Sequence, residues 1–155
     1  MRLNYILIPA IVFCVAALGS IFTNTGIGNG WYSGLIKPDW TPPGNVIGAI
    51  WTAIFVLATV SILILWNRSV HDSRFRHVMQ AFAVNGILNA SWSYIFFVRN
   101  WMGWGVIVAV LMWLSVIELM VCLWPLKKTS SLLLLPYACW LIVASVLNFL
   151  IWRMN

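Results

Sequence analysis

Acidic side chains are almost missing from this chain: Asp39, Asp72 and Glu118 are the only three in 155 residues. Charged residues of either sign make up 8% of the sequence, against roughly 25% in an ordinary soluble domain. Glu118 has no second intramembrane acid to exchange protons with, so it reads as a snorkelling or loop-paired side chain rather than a relay. Cysteine is sparse too. Cys14, Cys122 and Cys139 all fall inside apolar runs without metal or redox spacing, so each reads as a small buried hydrophobe and no metal site is expected. His71 and His77 flank a short basic loop with Asp72, and read as two solvated histidines. The nine Lys and Arg are scattered at the ends of apolar runs and form no stripe, which excludes nucleic acid as a partner. No nucleophile–base pair or phosphate-binding loop is present.

What is abundant is apolar surface. Hydrophobic residues are 63% of the chain, mean hydropathy is +0.95, and there are 11 tryptophans. No soluble core of this size hides so much, so the solvent is lipid. Hydrocarbon requires every backbone N–H and C=O to be paired inside a helix or a closed barrel. Barrels read as short alternating segments; these runs are long and unbroken. The sequence therefore predicts an all-α membrane protein, a bundle of five transmembrane helices.

A hydrocarbon core about 30 Å thick needs roughly 20 apolar residues. Helices are predicted over residues 5–24, 44–66, 77–98, 103–124 and 129–152, in a single membrane domain over 1–155. The one long connection, residues 25–43, carries Gly26, Gly28, Gly30, Pro38, Pro42 and Pro43, which break helices. The first run follows Arg2 as a signal sequence would, but it is long enough to span and has only a loose cleavage match, so a retained helix is expected. Arg2, Arg68, Arg74, Arg76, Lys127 and Lys128 fall on one side, with Lys37, Arg99 and Arg153 on the other. The positive-inside rule then puts the N-terminus in the cytoplasm and the C-terminus outside.

Polar and aromatic residues inside the bilayer are the remaining signal, because they are costly there. Asn85, Asn89 and Trp92 share a face of the third helix. Trp140, Ala144 and Asn148 follow at i+4 steps on the fifth. The second carries Trp51 two turns inside its start, and the fourth starts near Trp104, with Val108, Leu111, Ser115 and Glu118 behind it. Trp51, Trp104, Asn89, Ala144 and Asn148 all fall in the half nearest the long loop. They describe an apolar pocket with a few oriented donors and acceptors. Asparagine bonds also hold bundles together and tryptophans form interfacial belts. The belt reading suits Trp31, Trp40, Trp66, Trp101, Trp124 and Trp152; for Trp51 and Trp140, pocket and packing both stand. Gly44/Gly48 and Gly86/Ala90 permit close helix contacts, within one bundle or across a dimer.

The stretch Trp31-Tyr32-Ser33-Gly34-Leu35-Ile36-Lys37-Pro38-Asp39-Trp40-Thr41-Pro42-Pro43, with Gly48 and Trp51 after it, resembles the first-loop signature of the TspO/MBR family. This family comprises the tryptophan-rich sensory proteins and the mitochondrial translocator protein, once called the peripheral benzodiazepine receptor. Leu88-Asn89 with Trp92, Ile95-Phe96-Phe97, Met102-Gly103-Trp104, Pro136-Tyr137-Ala138-Cys139-Trp140, Ala144, Leu147-Asn148 and Trp152-Arg153 extend the resemblance through all five helices. It implies a homodimeric five-helix bundle whose ligand pocket comprises Trp51, Asn89, Trp92, Trp104, Trp140, Ala144, Leu147 and Asn148. It also implies a first-loop lid containing Trp31, Lys37, Pro38, Trp40, Pro42 and Pro43. In this chain Lys37-Pro38 also reads simply as a turn with an interfacial cation.

Implied ligands are porphyrins and haem, drug-like isoquinolines and benzodiazepines and, in animal members, cholesterol. No cofactor is obligatory. Phe149 stands where the cholesterol motif of animal members has tyrosine, and Val108 where they have aspartate, which points to a bacterial cell membrane and away from cholesterol. The pocket offers no histidine and no activated cysteine for axial haem ligation, so a tetrapyrrole is expected to stack on Trp51 and Trp140, its propionates toward Lys37 or Arg99. Three functions fit: a tetrapyrrole receptor or sensor, which is preferred; a transporter of porphyrins or other amphiphiles, for which no inverted repeat is evident; and light-dependent porphyrin degradation, in which Trp51 and Trp140 are the oxidisable groups.

Overall fold

Five long apolar helices, each reversed in direction from the one before it in the chain, make up the computed structural model, which describes residues 3–155. They are α1 (Asn4–Gly28), α3 (Gly44–Arg68), α4 (Ser73–Ser93, continued by a π-helical turn, Tyr94–Val98), α5 (Met102–Leu123) and α7 (Leu135–Met154). Two short helices complete the order, α2 (Trp31–Gly34) in the long loop and α6 (Lys128–Leu132) just before α7. Every long helix is long and apolar enough to cross a membrane, and no strand occurs among the described residues. The chain is an integral, multi-pass membrane protein.

Local chemistry explains where the helix ends differ from the expected ones. The third span begins at Ser73 rather than His77, because Asp72 caps it by accepting the Phe75 N–H at 2.9 Å. The fifth span is two helices instead of one. Pro136 has no N–H and no room for the carbonyl one turn back, so it suits only the first turn of α7. The first span runs one turn past Asn24 and stops only at Gly30, whose φ of +78° reverses the chain into α2. Asn100, at φ 57°, makes the corresponding turn between α4 and α5.

Close backbone approaches give the helices a ring order α3–α1–α4–α5–α7. The α5–α7 and α4–α5 seams are the most extensive. They bury Val78, Met112, Val116, Leu119, Leu123 and Leu141. At the α3–α7 gap the ring is closed chiefly by side chains and by α6. Ser61 donates to the Ser130 carbonyl at 2.8 Å while Ser130 donates to that of Ser61 at 3.1 Å. Asn4 reaches Asn67 at 3.1 Å, which places the start of α1 beside the end of α3.

Arg68, Arg74, Arg76, Lys127 and Lys128 therefore share the end of the bundle opposite the long loop, as the charge pattern predicts. Arg2, the remaining member of that set, lies outside the described residues. Gly86 faces Val15 of α1 within the bundle, whereas a Cβ on Gly44 or Gly48 meets nothing within 4 Å. The helix-three glycine is thus an internal contact and the helix-two pair is turned outward.

Candidate functional site: an aromatic and amide seam beneath the first loop

Asn85, Asn89 and Trp92 share one face of α4, and that face points at α5 and α7. Asn85 donates to Ser115 Oγ at 2.8 Å, and Ser115 donates to the Met112 carbonyl at 2.7 Å. The Tyr137 hydroxyl donates to Asn85 Oδ1 at 3.3 Å and accepts from Asn89 Nδ2 at 3.2 Å. Asn89 also lies 3.6 Å from the Met112 sulfur. One turn further along, Trp92 Nε1 donates to Asn148 Oδ1 at 3.0 Å, and Asn148 donates to the Met102 carbonyl at 3.1 Å. Asn85, Asn89, Tyr137 and Asn148 are all buried. Unpaired amides are expensive in hydrocarbon, so the chain of bonds defines how α4, α5 and α7 sit together.

Trp51 enters from α3 and meets Tyr137 edge-on, with ring centroids 5.9 Å apart, while its other neighbour is Phe55 at 5.8 Å. Trp140 follows Tyr137 by one turn of α7. Its indole nitrogen is buried and has no hydrogen-bond partner among the described residues. Trp51 and Trp140 are both half-buried and pack on the same core. Leu147 is buried with Phe96, Phe97 and Ile151, and Ala144 is half-buried on the α7 face between Trp140 and Asn148.

The long loop folds onto this end. Trp31 packs edge-on against Phe96 at 5.4 Å, and Tyr32 meets Phe97 at 5.5 Å. Phe96 in turn stacks on Trp92 at 5.4 Å with the planes 11° apart. The long loop is thus joined ring to ring to the amide seam. The π turn adds one residue to the helix and turns Phe96 and Phe97 together into the bundle. Wide turns of this kind recur at functional sites. Gly26 allows α1 to press against it: a Cβ there would lie 2.7 Å from the Phe97 carbonyl oxygen.

Lys37 folds back over its own loop. Its Nζ donates to the Tyr32 and Leu35 carbonyls at 2.7 and 2.8 Å and lies 4.9 Å from the Tyr32 ring. Burial raises the Tyr32 phenol above its ordinary pKa. Thr41 bonds the Pro38 carbonyl, and Asn155 exchanges two bonds of 2.9 Å with the backbone of Ile36. Pro38 and Pro42 are half-buried, while Pro43 and Trp40 are exposed.

The family model described as TspO/MBR family matches residues 7–153, nearly the whole chain. This chain belongs to the TspO/MBR family. It is 34% identical over 158 residues to the tryptophan-rich protein TspO of Archaeoglobus fulgidus, covering 99% of each chain. It is 32% identical to protein CrtK of Rhodobacter capsulatus over 92% of this chain and 86% of the relative. Against the human translocator protein the identity is 30%, over 96% and 90% of the two chains.

Within this TspO/MBR chain the expected pocket residues do not all meet. Trp51, Asn89, Trp92, Trp140, Leu147 and Asn148 belong to the seam and the clusters around it. Trp104 does not. It is 61% exposed and lines an outer groove of about 670 Å³ with Trp101, Ile107, Phe149 and Trp152. It sits one residue before Gly105, the position that faces Asn148. Of the side chains aligned behind it, Ser115 is buried, Leu111 is exposed, and Glu118 meets His77 of α4 at 3.2 Å, an interhelical pair rather than a loop contact. His71 goes elsewhere, to the Trp66 carbonyl and the Phe75 ring.

Tyr137 is the central site residue that the sequence reading left out of the pocket. Its signal was available: it precedes Trp140 by three positions, on the face that continues to Ala144 and Asn148. Phe96 and Phe97 carried no such signal, because only the π turn brings both inward.

Proposed function

We propose that this TspO/MBR protein is a tetrapyrrole-binding membrane receptor, a sensor of porphyrin or haem, and that it also accepts other flat hydrophobic molecules. The observation that carries the reading is the unpartnered indole N–H of Trp140, one turn of α7 from Tyr137, which Trp51 meets edge-on. A buried donor without a partner is costly, and a ligand acceptor relieves that cost. Trp51 and Trp140 supply flat apolar faces, the seam supplies amide donors and acceptors, and no histidine approaches them. The proposed binding is therefore by stacking and hydrogen bonding, without axial ligation. Lys37 and Arg99, two of the three cations at the loop end, are the ones proposed to meet the propionates. The reading carries with it a homodimer in a bacterial cell membrane, N-terminus in the cytoplasm and C-terminus outside.

The test is a dark titration of the detergent-solubilised protein with protoporphyrin IX, read by tryptophan quenching. Saturable quenching that a Trp51→Phe, Trp140→Phe double variant weakens supports the pocket. Linear quenching, identical in both proteins, means that the porphyrin only partitions into detergent.

A second reading is favoured by one contact. Trp51 and Tyr137 are both oxidisable and meet at 5.9 Å between ring centroids, an arrangement suited to electron transfer to a photoexcited porphyrin. Illumination in air then bleaches the bound porphyrin, and replacing Trp51 and Trp140 with phenylalanine stops the bleaching.

A further inference from the structure

At the end of the bundle away from the lid, α4 and α5 bring His77, Glu118 and Cys122 together. One donor atom of each lies within 4.8 Å of the others, and His77 Nε2 is 3.2 Å from Glu118 Oε1. Glu118 and Cys122 are one turn apart on α5 and so share a face. His77 comes from the facing turn of α4, 41 positions earlier than Glu118 in the chain, and no local spacing betrays the group.

We infer that these three side chains form a binding site for a zinc-like divalent transition metal, with a fourth position open to water or an anion. The donor set is one imidazole nitrogen, one carboxylate oxygen and one sulfur, the ligand types that zinc takes when it keeps an open position. Thiolate and imidazole select against magnesium and calcium, which take oxygen ligands. A thiolate and a carboxylate together balance the two positive charges, so the complex is neutral where the helices leave the membrane.

Geometry supports the same assignment. Bonds of about 2.0–2.3 Å put tetrahedral ligand atoms about 3.3–3.8 Å apart. The present spacings of 3.2 Å and up to 4.8 Å bracket that range. Only side chains need to move. His77 and Glu118 are 57% and 52% exposed and free to change rotamer. Beneath them Val78, Leu119 and Leu123 are at most 1% exposed, which holds the two backbones in register. A recess of about 450 Å³ lined by His77 and Cys122 with Ser73, Arg74, Val78 and Pro125 leaves room for the fourth ligand, with the Arg74 cation beside it for an anion. A plain His77–Glu118 ion pair accounts for two of the three side chains and leaves the converging sulfur unexplained.

The probe is cobalt(II), added to the full-length protein in detergent. One equivalent is expected to give the visible bands of a tetrahedral centre and a near-ultraviolet thiolate-to-cobalt band. Stoichiometric zinc displaces both and excess magnesium displaces neither. Cys122→Ser removes the thiolate band. His77→Gln weakens uptake by about tenfold or more, as large as the loss seen on changing outer-shell partners of metal sites. Unchanged helical circular dichroism and gel-filtration profile show that both variants remain folded. The assignment is overturned if wild-type protein gives no thiolate band. It is equally overturned if the band persists in Cys122→Ser, which moves it to Cys14 or Cys139. Equal uptake in His77→Gln removes the imidazole from the donor set and overturns the assignment as well.

Discussion

The indole of Trp92 donates to the side-chain oxygen of Asn148 at 3.0 Å, across 56 residues of sequence and between α4 and α7. The nitrogen of the same amide reaches the Met102 carbonyl at the start of α5. One buried asparagine thus ties three helices together directly beneath the long loop, and Trp92 carries the connection upward through its stack on Phe96.

Trp92→Phe keeps the stack and removes the donor. The Asn148 oxygen is then left buried without its partner, at an expected cost of about 1–2 kcal/mol. Thermal or denaturant unfolding in detergent reads it. A Trp92→Phe, Asn148→Leu double variant is expected to recover part of the loss, because both polar groups are then gone.

Gly105→Ala places a methyl 2.9 Å from Asn148 Oδ1 and 3.2 Å from Phe96. The amide must turn away, breaking its bonds to Trp92 and Met102. Destabilisation of about 1–3 kcal/mol is expected. The same change at Gly48, where a Cβ meets nothing, is expected to be neutral.

Tyr137→Phe keeps the edge-on contact with Trp51 but removes the hydroxyl that Asn85 and Asn89 share. Asn85 keeps Ser115 as a partner, while Asn89 is left with the Met112 sulfur. A stability loss of about 1 kcal/mol is expected. The proposed pocket changes more than stability does: porphyrin quenching is expected to weaken beyond what the fraction unfolded explains.

Asn155→Ala removes both bonds that fasten Ile36 of the long loop to the end of α7. Hydrogen exchange at the Ile36 amide is expected to rise by about tenfold, the effect of losing about 1.4 kcal/mol of protection. Exchange at Gly34, whose N–H bonds the Gly30 carbonyl, serves as the internal reference and is expected to stay constant.

Much of this was legible without coordinates. Hydrophobic runs of spanning length determined five helices, because lipid leaves the backbone no other way to pair its polar groups. The i+3 and i+4 spacing of Asn85, Asn89 and Trp92 determined that they share a face, and the first-loop string determined the family. Helix ends were missed where a side chain or a ring decides them, at the Asp72 cap and the Pro136 break. The tertiary structure alone decided what each face meets. It turned Trp104 outward and placed Tyr137 between the asparagines. It rotated Phe96 and Phe97 inward through a π turn, and it drew His77 to Glu118 and Cys122. The physical reason is common to all four. Periodicity says which residues of one helix lie together, but every helix here is apolar on most sides. Which side packs on protein and which on lipid then depends on close approach and hydrogen bonding between helices, and neither is written within any single span.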